Sequence, residues 1–509
     1  MNIRKLLTRL VSLALIAVFL PTVAMADTWY LEDGSITVSA TDSGQNVSQG
    51  GVTKEDSAPV IRNRDSSAST TNNVTIRADA GATANVTLED TNIDTTGGAG
   101  PKGAGDAAVR TEGGGNVNLN VELDNTLQSG NTHAGVEKGN GGNLTIGSES
   151  GSGQLVAVGA DGGAGIGSED RLASGNYNVG NITITGGDIF ATGNGGGAGI
   201  GGGWYCGASD ITITGGNVTA VGKEDNPNRI GGAGIGGGGS QSSNAGGGSN
   251  LKITGGRVTA VGGNFSAGIG GSIGSNGDNI TISDAEVIAI GGTCAAGIGG
   301  GCRLGNGIVG QGTNISISGS ANVKAAGGVG DSMDGAGAAI GAGGSHQGTT
   351  AQEGAADTSG LSPDGSVERL DPGTTFDIPQ PKPRSSFPKP APDPVAVEEE
   401  PQPVKAALYR VIDDAGKALP VETKQEDGVL LLTAQADIAI LEGAISGLQT
   451  LQSRGIDTIT FTNGTISVSF SLAEVIAKGA SSDVYRLTLS GGEANFTLAD
   501  ADITALLGK

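Results

Sequence analysis

Asn181-Ile-Thr-Ile-Thr-Gly-Gly187 runs directly into Asp188-Ile-Phe-Ala191 and, a few residues on, into Gly197-Ala-Gly-Ile-Gly-Gly-Gly203. The first two pieces place apolar residues at alternate positions, so each reads as a short strand with one face in a core and the other in water. The first strand recurs as Asn73-Val-Thr-Ile76, Asn85-Val-Thr-Leu88, Asn116-Val-Asn-Leu119, Asn143-Leu-Thr-Ile146, Asp210-Ile-Thr-Ile213, Asn250-Leu-Lys-Ile253, Asn279-Ile-Thr-Ile282 and Asn314-Ile-Ser-Ile317. The second recurs as Asn217-Val-Thr-Ala220, Arg257-Val-Thr-Ala260, Glu286-Val-Ile-Ala289 and Asn322-Val-Lys-Ala325. The third recurs as Gly163-Ala-Gly-Ile-Gly167, Gly232-Ala-Gly-Ile-Gly236, Ser266-Ala-Gly-Ile-Gly270 and Ala295-Ala-Gly-Ile-Gly299, with weaker forms at Ala107-Ala-Val109 and His133-Ala-Gly-Val136. Three strands per unit of about 27 to 40 residues, parted by Gly and Asn corners, predict a mainly β chain. Its body is a parallel β-helix solenoid of three sheets and roughly nine coils. At about 4.8 Å per coil the rod is on the order of 45 Å long. Leucine-rich repeats would need intervening helices, and a propeller four strands per blade.

Composition agrees. Among 509 residues there are 95 glycines and only 3% aromatics, too few large side chains for an ordinary globular core. Glycine without a strict three-residue period excludes collagen. Three cysteines, Cys206, Cys294 and Cys302, are too few for a disulfide scaffold.

Outside the repeat, four segments are expected. Residues 1–26 read as a signal peptide: Arg4, Lys5 and Arg9 precede an apolar run from Leu10 to Leu20, and Ala24-Met25-Ala26 offers a small-residue cleavage site. That run is short for a bilayer span and no second hydrophobic segment follows, so no membrane span is expected after processing. The β-helix occupies 27–347. A Pro-rich acidic linker follows over 348–404, with Pro372, Pro379, Pro381 and Pro383 among its prolines and Glu398-Glu399-Glu400 near its end. Residues 405–509 form a small C-terminal α/β domain with strands at 408–412, 429–433, 458–461, 466–470 and 485–489 and helices at 438–451 and 472–478. No sorting signal is visible at the C-terminus, leaving attachment to a cell wall to non-covalent contact or a partner.

The net charge of −23 argues against nucleic acid as a partner, because binding a polyanion rests on Lys and Arg. The coil motifs Asn181-Ile-Thr-Ile-Thr-Gly-Gly187 and Gly197-Ala-Gly-Ile-Gly-Gly-Gly203 resemble those of the glycine-rich parallel β-helix surface proteins of gut Firmicutes. That group is similar in fold to the pectate-lyase-like superfamily, which has carbohydrate-binding relatives. The resemblance covers about 27–350. It implies a secreted or cell-surface location and a partner that is an extracellular polysaccharide or a host or bacterial surface glycan, as for an adhesin; it supplies no site residues.

The candidate ligand-binding residues come from the repeat itself. The outward row Thr75, Thr87, Asn118, Thr145, Thr183, Thr212, Lys252, Thr281 and Ser316 is either plain solvent-facing strand or a flat hydroxyl array suited to a repeating polymer. Within it Thr183, Thr212, Lys252 and Thr281 are the candidates. Trp204 and Tyr205 follow a Gly-rich turn, either as a platform for sugar rings or as packing over the neighbouring coil. The Asn that opens each first strand reads as structural, since Asn tolerates left-handed backbone and stacks at identical corners.

Catalysis is not expected. The charged row Asp188, Asn217, Arg257, Glu286, Asn322 holds its carboxylates three coils, or about 14 Å, apart, beyond the separation a glycosidase pair needs. Arg257 and Glu286 read as a surface salt bridge. The alternative function is a polysaccharide lyase or hydrolase of pectate-lyase-like fold. No cofactor is expected. His133 and His346 are distant in sequence and no metal-ligand spacing is seen. Calcium is left to loop carboxylates such as Glu169-Asp170 and Glu224-Asp225.

Overall fold

A computed structural model describes residues 27–97, 106–170, 177–223, 230–241, 246–302, 308–345, 349–384 and 409–508, apart from scattered single positions. The expected signal peptide, Glu224-Asp225, His346 and residues 385–404 of the expected linker lie outside the described residues. The chain divides into two compact units, Met1–Asp393 and Pro394–Lys509. Among the described residues no helix is long and apolar enough to cross a membrane.

The first unit is a parallel β-helix with three sheets. Sheet 1 carries the Asn-x-Thr-x strands, among them Thr83–Glu89, Asn116–Glu122, Leu144–Gly147, Ile182–Ile184, Cys206–Ile213, Gly248–Ile253, Gly277–Ser283 and Gly312–Ser318. Sheet 2 has nine strands, from Asn92–Asp94 to Ser366–Leu370. Sheet 3 narrows along the rod, from the five-residue strands Val74–Ala78 and Val109–Gly113 to two-residue pairs such as Ile200–Gly201 and Ile235–Gly236. Each Ile of these pairs fills the core. Each following Gly takes a positive φ, +134° at Gly201, where a Cβ would sit 2.1 Å from the Gly236 carbonyl oxygen of the next coil. Only glycine meets both demands, which is why Ile-Gly recurs. The core is a continuous stack of Ile, Val, Leu and Ala running from Leu31 to Ile340.

Both ends are closed. Ile36–Thr41 pairs parallel with Val74–Ala78, and an antiparallel hairpin, Gly44–Gln49 with Val52–Glu55, finishes sheet 3. At the other end Glu353 accepts hydrogen bonds from the Ala339 and Ile340 amides at 2.6 and 3.1 Å and pairs with Arg369, occupying donors an edge strand would otherwise leave open.

Three expectations about register and boundaries are corrected. Val74–Ala78 belongs to sheet 3, so Thr75 lies opposite Arg110 and not in the sheet 1 row. Thr87 lies opposite Asn120, and the residue beside Asn118 is Asn85. A slip of two preserves which side chains point inward, so alternation in the sequence could not detect it. The solenoid also continues past 347. Ala356–Asp357 and Ser366–Leu370 extend sheets 1 and 2, and residues 373–384, the described part of the proline-rich segment, then run back along sheet 2 as a strap.

The second unit has a five-stranded antiparallel sheet and a four-stranded mixed one. Helices Ile445–Ser453 and Leu472–Ile476 accompany them. Phe461, Phe470, Tyr485 and Phe496 are fully buried in its core. Residues 438–444, expected as helix, form the strand Ile438–Ala444 between Arg410–Ile412 and Val484–Ser490. The apolar run fits either periodicity, and pairing on both edges decides it.

Candidate functional site

Among the described residues nothing is seen to lie over the polar face of sheet 1, which is built from three files. The middle one is the Asn ladder: Asn181, Asp210, Asn250, Asn279 and Asn314 all have φ between +51° and +55°. Asn250 donates to Asp210 at 3.1 Å, Asn279 to Asn250 at 3.1 Å and Asn314 to Asn279 at 3.0 Å. Each kinks its strand at the same point, so the ladder makes the face regular. On one side, Ser209, Ser249, Asp278 and Thr313 are in register. On the other side lie Thr145, Thr183, Thr212, Lys252, Thr281 and Ser316. Four of the expected binding residues, Thr183, Thr212, Lys252 and Thr281, thus stand in one file on successive coils, about 4.8 Å apart. A groove of about 340 Å³ opens beside the face, lined by Asn178, Ser249, Ser275, Asn276, Asp278 and Ile308.

Trp204 and Tyr205 do not join this face. Trp204 is 3% exposed, lodged against Gly196, whose added Cβ would meet the indole at 2.2 Å, and Tyr205 packs edge-on to it at 5.3 Å between ring centroids. The same pair of positions in a later coil is Cys294 and Cys302, which form a disulfide with Cα atoms 5.3 Å apart. Indole on glycine and cystine are two ways to close one turn, so Trp204 is a structural plug and not an exposed sugar platform. Cys206 is a buried thiol.

Sheet 2 differs in being covered. The register Gln154, Asp188, Asn217, Arg257, Glu286, Asn322 is as read from the repeat. The Arg257–Glu286 pair at 2.8 Å is exposed. From Gly373, whose amide donates to Gly327, the strap reaches Lys382, whose amide donates to Gln154 at 2.7 Å. Those nine residues span about 28 Å as polyproline II, enough for the five coil steps of about 24 Å between the anchors. Lys382 Nζ then meets Asp188 at 2.6 Å, and Arg384 meets Asp90 at 2.6 Å and Asp124 at 3.4 Å. Thr219 and Thr259, on coils between the strap's anchors at Gly327 and Gln154, alternate away from the core yet are only 6% and 2% exposed.

A third cluster was missed in the sequence because its members come from different coils. His133 Nδ1 donates to Glu137 Oε2 at 2.6 Å and lies 3.5 Å from Glu169 Oε2. Arg110 Nε donates to Glu137 Oε1 at 2.8 Å. The hydrogen bond to Glu137 raises the His133 pKa above its ordinary value against the cost of burial. Burial pushes Glu137 up, but His133 and Arg110 outweigh it and hold the carboxyl below the usual range. The only clue in the sequence was His133 and Glu137 flanking a weak copy of the third motif, one coil before Glu169.

Four segments, 182–204, 211–239, 251–274 and 280–302, match the family described as Beta helix repeat. With the parallel sheets, these repeats make the first unit a parallel β-helix. No curated protein and no solved structure matches the chain.

Proposed function

We propose that this is an exported, non-catalytic β-helix protein that binds an extended polysaccharide or surface glycan along sheet 1, in the manner of an adhesin. The observation that carries the reading is the uncovered file Thr145 to Ser316, whose hydroxyls, with Lys252, repeat at strand spacing beside the polar groove. A polymer with regularly spaced hydroxyls can meet such a file by many equivalent weak hydrogen bonds, and avidity then compensates for the modest strength of each. Export is supported by the composition of residues 1–26 and by the Cys294–Cys302 disulfide, since such bonds persist in oxidising compartments. The resemblance to gut Firmicutes surface proteins and pectate-lyase-like folds points the same way. For the alternative, a lyase or hydrolase, the carboxylates of sheet 2 are the natural candidates. Asp188 is bound to Lys382 and Asn217, Asp124 to Gln154 and Arg384, and Glu286 to Arg257.

A glycan array followed by calorimetry on the full chain tests the proposal. Thr212→Ala with Lys252→Ala and Thr281→Ala should weaken binding at least about tenfold without lowering the melting temperature. Undiminished binding would remove sheet 1 as the site, and accumulation of cleaved product would replace the binding reading with an enzymatic one.

A further inference from the structure

We infer that His133, Glu137 and Glu169 form a binding site for a divalent transition metal of the zinc class. Their ligand atoms, one nitrogen and two carboxylate oxygens, lie within 4.8 Å of one another, the convergence a cation could draw together into one coordination sphere. The three come from two neighbouring coils. His133 and Glu137 flank Val136, which pairs with Ile166 in sheet 3, and Glu169 follows that second strand.

The donors are already held in place. Glu137 and His133 side chains are 8% and 14% exposed, so little ordering remains to be supplied on binding. Arg110 Nε holds Glu137 Oε1 and leaves Oε2 directed at the imidazole, an outer hydrogen bond of the kind that orients a metal-binding carboxylate. Glu169, at 28% exposed, faces the open side, where water completes the coordination. Binding exchanges ions and involves no redox change: the Nδ1 proton now shared with Glu137 leaves to solvent, and Nδ1 takes the metal. The Arg110 Nη2 atom, 3.2 Å from Nδ1, would have to turn aside while Nε keeps its bond to Glu137, and the third of that side chain exposed to solvent gives it room. An imidazole donor favours Zn²⁺ over Ca²⁺, which prefers an all-oxygen shell.

The test is calorimetry with Zn²⁺ and with Ca²⁺ on the full chain at pH 7.5, with melting curves and the visible spectrum of the Co²⁺ form. One Zn²⁺ should bind per chain and raise the melting temperature, Ca²⁺ should not match it, and Co²⁺ should show ligand-field bands. Glu169→Gln should leave the chain folded by circular dichroism and weaken Zn²⁺ binding about 10–100-fold. His133→Gln should abolish the Co²⁺ bands. Equal Zn²⁺ affinity in the parent and Glu169→Gln, or no Zn²⁺ binding by the parent, would overturn the site.

Discussion

Sheets 1 and 2 are built from the same repeat, with the same alternation and spacing, yet one faces water and the other lies under a proline-rich strap. On sheet 1 the side chains that leave the core form hydrogen-bonded ladders among themselves, as from Asp210 through Asn314. On sheet 2 the outward file includes Val156, Phe190 and Ile288, a less polar surface, and its carboxylates Asp90, Asp124 and Asp188 are answered by Arg384 and Lys382 from far along the chain. A solenoid thus dedicates its faces separately. The stacking that makes the fold sets the register of every file, and the outward residues are free to serve different ends.

The largest effect should come from reversing inside and outside on sheet 1. Ile213 is fully buried, and Ile213→Asp should cost more than about 4 kcal/mol and unfold the neighbouring coils, because a carboxylate there has no partner. Thr212→Lys should cost far less, since position 212 faces away from the core and only the like charge of Lys252 beside it opposes the change. Similar melting behaviour in the two variants would mean the inward and outward assignment is wrong.

Releasing the strap ranks next. Arg384→Ala takes the counter-charge from Asp90 and Asp124, 5% and 2% exposed, leaving them only Ser66 and Gln154, and should cost about 2–4 kcal/mol while opening residues 371–384 to protease. An unchanged cleavage pattern would show that Arg384 does not hold the strap, leaving that to Lys382 and the backbone bonds. On the bare face the penalties should be smaller. Asn279→Ala removes a ladder rung and forces a left-handed angle on alanine, for about 1–2 kcal/mol, measurable by chemical denaturation.

The smallest effect is the pH dependence that Asp124 contributes on the strapped face. Burial raises the Asp124 pKa, opposed by the Gln154 hydrogen bond and by Arg384, while Asp90 adds to the rise. A carboxyl with a raised folded pKa stabilises the fold below its unfolded value near 3.8, and that contribution is lost as pH rises through the folded value. Asp124→Asn should therefore gain on the parent as pH climbs from 3 to 7. A constant difference across that range would contradict the assignment.

Much of the solenoid was legible because each coil repeats both its alternation and its corners: the Asn ladder, the Ile-Gly pairs and the row Asp188 to Asn322 could all be read directly. What escaped reading were features with no repeat signal. Proline density in 372–383 marks extended chain but does not say whether that chain leaves the rod or lies on it; that depends on Lys382 and Arg384 finding carboxylates about two hundred or more residues away. For Trp204 the sequence left open both a platform and packing over the neighbouring coil; the glycine opposite it at 196, which makes room for the indole, decides for packing. The four candidates Thr183, Thr212, Lys252 and Thr281 were readable as one file because their strands share the same kink. The cluster around His133 was not, since it depends on which coil stacks on which.

The most direct measurement of the account is hydroxyl-radical footprinting of the full chain with and without the best polysaccharide from the array. Protection should fall on the outward side chains of Cys206–Ile213, Gly248–Ile253 and Gly277–Ser283, with Asp188–Asn194, Asn217–Gly222 and the strap unchanged. Protection on the sheet 2 strands, accompanied by new reactivity in residues 371–384, would contradict it and make the strapped face the binding surface.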